Sequence, residues 1–139
     1  MSYTAIVLDE SSRNNLIGMA PKGWEVVAHH MTINTGSPNE GPAADMLGEC
    51  VDMKMVTVAR DNLVLAVGVE TKAPSLNKIK HITIAVNRAE GGKPFFSNKL
   101  QEWQPVEPVT LRGVISHVKR EIRQRPLNEA NNISRENLG

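Results

Sequence analysis

One short pattern, a histidine followed two residues later by a threonine, occurs twice in this sequence, at residues 30–33 and 81–84. Both copies continue with isoleucine, so the tetrads read His-Met-Thr-Ile and His-Ile-Thr-Ile. Histidine titrates near neutral pH, so two histidines can supply one neutral and one protonated ring at the same time. Threonine hydroxyls can donate hydrogen bonds to the oxygens of an anion. These residue types suit the cleavage of a phosphodiester bond.

The tetrads must lie on extended strands for the histidine and threonine of each to act together. Side chains two residues apart in a strand share one face and lie roughly 7 Å apart along the chain. Apolar and polar residues alternate over residues 24–34 and 79–86, which predicts a strand at each place. In both strands the face that carries the histidine and threonine is opposed by an apolar face. The candidate catalytic residues are therefore His30, Thr32, His81 and Thr83.

Other interpretations of these histidines remain open at this point. His29 falls on the apolar face of the first predicted strand, so we interpret it as a core or supporting histidine rather than a catalytic one. Both tetrad histidines could also be hydrogen-bonded within a core. A zinc site on His30 and His81 is disfavoured, since the sequence has no His-Glu-x-x-His or Cys-x-x-Cys pattern and no acidic cluster beside either one. We expect no metal and no other cofactor.

Composition predicts one domain with a core of aliphatic residues. The chain has 139 residues, of which 4% are aromatic, and a formal net charge of +1. So small a charge gives no general attraction to a nucleic-acid backbone, and any nucleotide recognition must be local. The single Cys50 cannot form an internal disulfide bond, and neither a signal-peptide pattern nor a long apolar segment is present. We expect a cytoplasmic protein without membrane association.

Turn and cap residues divide the rest of the sequence into short elements. Asp9 is a candidate N-cap for a short helix over residues 10–19, and Asp61 with Asn62 suits the turn of a β-hairpin. The predicted strands besides the two motif strands are residues 3–8, 51–60, 63–71 and 109–118, with a short helix within 95–103.

Loops 35–49 and 88–94 each follow a motif strand. We therefore expect them to border the site and to set its selectivity. Residues 1–123 form the predicted single domain. Residues 124–139 are polar and charged without a periodic pattern, which predicts a flexible tail.

Paired His-x-Thr tetrads on strands of a small domain resemble the motifs of the two-histidine (2H) phosphoesterase superfamily. Residues 24–36 and 81–87 carry nearly all of this resemblance, which covers most of residues 1–123. The superfamily includes RNA 2′,3′-cyclic phosphodiesterases, the phosphodiesterase parts of RNA-repair enzymes, and viral proteins that destroy nucleotide signals used in host defence. The residues it implies for acid–base catalysis are His30 and His81, and those for phosphate binding are Thr32 and Thr83.

The resemblance also implies a fold and a reaction. The fold is α+β, with two small antiparallel β-lobes related by pseudo-two-fold symmetry, few helices outside and the site in the groove between the lobes. The reaction is the metal-independent hydrolysis of a cyclic phosphate or phosphodiester of a nucleotide or oligonucleotide. The alternatives are a non-catalytic nucleotide-binding module, or sponge, that uses the same groove, and a structural domain with core tetrads. No obligate protein partner is evident, and the oligomeric state, the substrate and the identity of the acid remain open.

Two further residues are candidates for substrate binding. Lys93 lies in a Gly-Gly loop after the second motif strand, where its ammonium group could reach a phosphate, although a solvated surface lysine fits equally well. Tyr3 could stack on a nucleobase, since stacking of a base on an aromatic ring is worth roughly 1–3 kcal/mol.

Overall fold

The computed structural model describes residues 2–119, which hold seven strands, one α-helix and four short 3₁₀ helices. The strands are β1 (Ser2–Leu8), β2 (Glu25–Val26), β3 (His30–Thr35), β4 (Cys50–Arg60), β5 (Val64–Glu70), β6 (His81–Val86) and β7 (Gln104–Lys119). The helix α1 spans Glu10–Ile17, and the 3₁₀ helices span Pro38–Glu40, Ala44–Met46, Arg88–Glu90 and Pro94–Lys99. Within this part of the chain, no helix is long and apolar enough to cross a membrane. The predicted tail at 124–139 lies outside the described residues.

The strands form one closed antiparallel barrel. Six of them are hydrogen-bonded in the order β6–β3–β1–β7–β4–β5, and β5 pairs back with β6 to close the ring. The two-residue β2 pairs with β6 next to β3, so that β2 and β3 are two parts of one interrupted strand. The 16-residue β7 pairs with both β1 and β4, and thereby joins the first strand to the central β-hairpin.

The predicted α+β fold of two β-lobes with a groove between them is therefore wrong. The motif strands do not belong to separate lobes, because β3 and β6 are direct neighbours and Met31 pairs with Ile82. The shared β7 and the closing pair of β5 with β6 leave one continuous ring of strands in place of two halves. Alternation within a strand fixes its faces but does not reveal which strands become neighbours.

Alternation along the motif strands sorts their side chains between the inside and the outside of the barrel. Met31 and Ile33 of β3, like Ile82 and Ile84 of β6, have no exposed surface and belong to one core cluster. Each buried side chain of this size stabilises the fold by about 1.5–3 kcal/mol relative to an exposed one. The histidines and threonines that alternate with these residues face the outside of the barrel, opposite an apolar face as the sequence predicts.

Local predictions fare better than the predicted architecture. Asp9 caps α1, where its carboxylate accepts a hydrogen bond from the Ser12 backbone N–H at 2.8 Å. The hairpin of β4 and β5 turns at Asp61, whose carboxylate accepts from the backbone N–H groups two and three residues later. The helix predicted within 95–103 is instead the 3₁₀ helix Pro94–Lys99.

The first predicted motif strand is broken just before its tetrad. Residues 27–29 separate β2 from β3, and Ala28 has a φ of 40°. This left-handed conformation is strained by about 1–3 kcal/mol for a residue with a Cβ. A hydrogen bond of 3.0 Å from the Ala28 backbone N–H to the Thr83 carbonyl oxygen holds the break against β6. The interruption resets the alternation of side chains immediately before His30.

Candidate functional site

The pairing of β3 with β6 places the two tetrads side by side and antiparallel. Their second residues, Met31 and Ile82, are directly opposite each other. Each histidine therefore lies toward the threonine of the other tetrad. Neighbouring side chains on one face of such a strand pair have Cβ atoms about 4.5–5.5 Å apart. The tetrads are thus related by a local two-fold axis at the scale of two strands.

All four candidate catalytic residues line one cavity of about 380 Å³ on the outside of the barrel. β3 supplies His30 and Thr32, and β6 supplies His81 and Thr83. The other lining residues are Ser2, Tyr3, Val27, Thr35, Asn77, Pro94, Phe95, Ser97 and Asn98. No Asp, Glu, Lys or Arg within residues 2–119 lines this cavity. Within the described chain, a bound anion would meet hydroxyl, amide and imidazole groups.

His81 is buried, with 7% of its surface exposed. Its Nδ1 lies 2.7 Å from the Ile79 carbonyl oxygen, and its Nε2 lies 3.0 Å from Ser97 Oγ. Because a carbonyl can only accept, Nδ1 carries a proton. Burial lowers the pKa of His81, while the Ile79 carbonyl acts in the opposite direction by favouring the charged ring. At neutral pH His81 is therefore a neutral imidazole whose Nε2 lone pair faces Ser97.

Ser97 connects the two polar residues of the second tetrad. Its Oγ is 2.9 Å from Thr83 Oγ1 and 2.8 Å from the Pro94 carbonyl oxygen. Only 2% of Ser97 is exposed. The sequence gives no direct signal for Ser97, since nothing near it resembles a catalytic pattern. The one available signal is Pro94, a residue that favours the first position of a helical turn and here follows the loop after the second motif strand.

His30 has different neighbours and is only partly buried. Its ring centroid lies 4.7 Å from that of Tyr3, with an angle of 35° between the planes. Its Nδ1 is 2.9 Å from Nδ1 of His29, so one of these nitrogens carries a proton and the other a lone pair. Partial burial and the charge of Arg13 lower the pKa of His29. His29 is therefore the neutral partner, and its lone pair can accept a hydrogen bond from His30.

The prediction that His29 faces the apolar core is wrong. His29 is exposed, because the left-handed residue Ala28 resets the alternation and turns the side chain away from the barrel interior. Met31, two residues later, is buried as the pattern predicts. The supporting role that the sequence also allowed for His29 agrees with its contact to His30.

The two predicted substrate-binding residues are placed differently. Tyr3 lines the cavity, whereas Lys93 is exposed and is not among the lining residues. The loops expected to border the site contribute little to it. Loop 35–49 supplies only Thr35, and loop 88–94 supplies only its last residue.

Phe95 is a second lining residue that the sequence analysis does not identify. Its side chain is 56% exposed at the edge of the cavity. The Phe95 ring packs edge-on against Phe96, with 4.7 Å between centroids and 73° between planes. Phe96 in turn packs against a core cluster beneath it. The exposed ring is thereby held in place where a flat group could stack on it.

Residues 2–119 contain no group of three or more His, Cys, Asp or Glu side chains placed to hold a metal ion. Comparison with protein-family models, with curated proteins and with solved structures gives no match for this chain. The resemblance to 2H phosphoesterases stays a prediction that depends on the two tetrads. The function must therefore be inferred from the geometry and chemistry of the cavity.

Proposed function

We propose that this protein is a metal-independent phosphodiesterase that hydrolyses a cyclic phosphate or phosphodiester bond of a nucleotide or oligonucleotide. The observation that carries the proposal is the meeting of both His-Thr pairs in one cavity whose described lining has no carboxylate. Two imidazoles can move the two protons that hydrolysis requires. The Thr32 hydroxyl can donate a hydrogen bond to a phosphate oxygen of the substrate, while the Thr83 hydroxyl contacts Ser97.

The unequal surroundings of the histidines favour unequal roles. Burial keeps His81 neutral with a lone pair on Nε2, which suits a general base. His29 can accept a hydrogen bond from His30 Nδ1 and so orient the His30 ring, which suits His30 as the general acid for the leaving oxygen. Proton transfer of this kind accelerates a reaction by about 10²–10⁴-fold for each group.

A nucleotide agrees with the size and chemistry of the cavity. Small-molecule sites typically measure about 300–1,000 Å³, and this cavity of about 380 Å³ lies in that range. Tyr3 on β1 and Phe95 on the 3₁₀ helix Pro94–Lys99 offer aromatic rings on which a base could stack. Cyclic nucleotides, cyclic dinucleotides and linear oligonucleotides share the phosphate group that the tetrads would hold.

A nucleotide-binding module without catalysis is the second candidate. One observation favours it, namely that both ring nitrogens of His81 are hydrogen-bonded within the protein. If these bonds persisted with a ligand bound and transmitted no proton, His81 would only shape the site. The two candidates differ in the fate of the ligand, which is cleaved by the enzyme and released intact by the binding module.

A mass-spectrometric screen tests the proposal. The protein is incubated in EDTA with nucleoside 2′,3′-cyclic phosphates, cyclic dinucleotides, ADP-ribose derivatives and linear 2′,5′- and 3′,5′-oligonucleotides. We expect the wild type to cleave at least one of them and the His30→Ala/His81→Gln double variant to cleave none. His117→Ala is the matched control, because His117 lies on β7 and does not line the cavity. Tight binding with full recovery of intact ligand would support the binding module instead.

A further inference from the structure

Ser97 contacts both polar residues of the second tetrad at the wall of the cavity. Its Oγ is within hydrogen-bond distance of His81 Nε2 at 3.0 Å, Thr83 Oγ1 at 2.9 Å and the Pro94 carbonyl oxygen at 2.8 Å. Ser97 itself lines the cavity. Nδ1 of His81 is bound to a backbone carbonyl and Nε2 is bound to Ser97, so the hydrogen-bonded path for a proton to this ring runs through the Ser97 hydroxyl.

The 3₁₀ helix that carries Ser97 is anchored to the barrel on both sides of this residue. Phe96 and Leu100 pack into a core cluster with Val64 of β5 and Val86 of β6. The Trp103 indole donates its Nε1–H to the carbonyl oxygen of Leu100 at 3.2 Å. This packing holds Ser97 beside His81.

The hydrogen bonds around Ser97 contain fewer protons than contacts when His81 is neutral. Four contacts of 3.0 Å or less join His81 to Ile79 and to Ser97, Thr83 to Ser97, and Ser97 to Pro94. The neutral side chains bring three protons, one each from His81, Ser97 and Thr83. A protonated His81 brings a fourth, and every contact then holds a proton. The network is therefore completed by the uptake of one proton on His81.

We propose that Ser97 relays a proton from the attacking water to His81, an inference that rests on the phosphodiesterase function proposed above. Water donates its proton to Ser97 Oγ while the hydroxyl proton of Ser97 passes to His81 Nε2. The water oxygen bonds to phosphorus, and the bond from phosphorus to the leaving oxygen breaks with its electron pair. The leaving oxygen takes a proton from His30. Ser97 keeps the proton that came from the water, and its new O–H group donates a hydrogen bond to the Pro94 carbonyl oxygen.

The relay gives the two tetrads different routes to the substrate. His30 exchanges a proton with the leaving oxygen directly, whereas His81 acts through Ser97. The Thr83 hydroxyl contacts Ser97 Oγ and helps to hold it in place. Because Ser97 touches the reacting water, it is a further catalytic residue besides those of the tetrads, contributed by an element outside both of them.

Substitution of Ser97 by alanine tests the relay on the substrate that the screen identifies. We expect Ser97→Ala to lower kcat by about 10²-fold or more, as loss of a general-base route does, with KM changed by less than about threefold. Adding His81→Gln to this variant should cause little further loss, because both residues serve one proton transfer. The rise of kcat/KM with pH that reports the base should disappear. Ser116→Ala, on β7 and outside the cavity, is the control.

The outcomes separate the relay from its competitors. If Ser97→Ala is as active as the wild type while His81→Gln is inactive, His81 contacts the substrate directly. The relay is then rejected, while the proposed phosphodiesterase function stands. Higher activity of Ser97→Ala would also reject it, since Ser97 would then block His81. A nucleotide covalently attached to Ser97 in intact-mass spectra would identify a nucleophile in place of a relay.

Two further results also bear on the relay or on the proposed function, namely an alanine variant that does not fold and a wild type that cleaves no compound. Should the alanine variant fail to fold, Ser97→Cys keeps a side chain of similar shape, and the same loss of kcat is expected because a thiol is a weak hydrogen-bond donor and acceptor. Full activity of a folded Ser97→Cys would reject the relay. Failure of the wild type to cleave any compound of the screen rejects the proposed function itself.

Discussion

The two tetrads have nearly the same sequence but unlike surroundings. His81 on β6 is 7% exposed, and its two ring nitrogens are bound by Ile79 and Ser97. His30 on β3 is only partly buried, and its Nδ1 lies within hydrogen-bond distance of His29 Nδ1. Burial favours the neutral form of His81, and partial burial with the charge of Arg13 favours the neutral form of His29 beside His30. Two identical side chains thus have unequal surroundings, which is the basis for assigning them unequal roles in the proposed function.

A repeated motif can therefore place its two copies at one site without giving them the same role. The strand pair places the tetrads symmetrically about Met31 and Ile82. The elements next to that pair break the symmetry, because the 3₁₀ helix Pro94–Lys99 supplies Ser97 to one side only. A difference in role should therefore appear in every measurement that treats the two tetrads separately.

Removing each histidine gives the largest expected effect. We expect His30→Ala and His81→Gln each to lower kcat/KM by about 10²–10⁴-fold, since each removes one proton transfer. Glutamine keeps a polar side chain at the buried position, and thermal melting shows whether each variant is folded. Steady-state kinetics on the identified substrate provide the measurement. Wild-type activity in either variant would break the proposed pairing of the histidines.

The threonines should differ in a second way. The Thr83 hydroxyl contacts Ser97, whereas no hydrogen bond ties the Thr32 hydroxyl to another residue of the described chain. Thr32→Val should therefore raise KM roughly 10–100-fold, as loss of a hydrogen bond to a charged group does. Thr83→Val should act mainly on kcat through the displaced Ser97. The same division between KM and kcat in both variants would contradict the comparison.

His29 offers a smaller test, confined to the first tetrad. His29→Ala removes the partner of His30 Nδ1 and leaves the imidazole of His30 less well oriented. We expect turnover to fall roughly tenfold, since misplacement of a reactive group by 1 Å can cost about 10²-fold. His29→Gln, which retains an acceptor, should recover part of the loss. Unchanged kinetics in the alanine variant would show that the contact has no functional role.

The smallest effect is on stability, and the second tetrad should contribute to it. Burial lowers the pKa of His81 in the folded protein, so the unfolded chain binds the proton at a higher pH. Stability is then full above about pH 6.5, the ordinary value for histidine, and falls as the pH drops below it. Calorimetry between about pH 7.5 and pH 5.5 should show a decreasing Tm, with a shallower slope in His81→Gln. Equal slopes would assign the pH dependence elsewhere.

The shared face of the four tetrad residues could be predicted from sequence because its signal is local. Strict alternation around His30 and His81 fixes which side chains share a face, and the apolar positions between them are buried as that alternation requires. The closed barrel could not be predicted in this way. Its closure depends on pairs between distant strands, such as Met31 with Ile82, and a strand carries no mark of its partner.

The residues that the sequence missed reach the cavity through backbone features without a sequence signal. Ser97 and Phe95 arrive on a short 3₁₀ helix whose packing against the barrel is a long-range property. His29 was placed on the wrong face because Ala28 adopts a positive φ. A glycine at this position would have indicated a possible positive φ, whereas an alanine gives no such indication.

Joint action of the two histidines on one phosphodiester bond is tested most directly by hydrolysis in ¹⁸O-labelled water containing EDTA. The identified substrate is incubated with the wild type, the His30→Ala/His81→Gln variant and His117→Ala. We predict a phosphate monoester with one ¹⁸O atom on phosphorus from the wild type and from His117→Ala, and none from the double variant. Labelled product from the double variant, or intact unlabelled substrate from the wild type, would contradict the proposed mechanism.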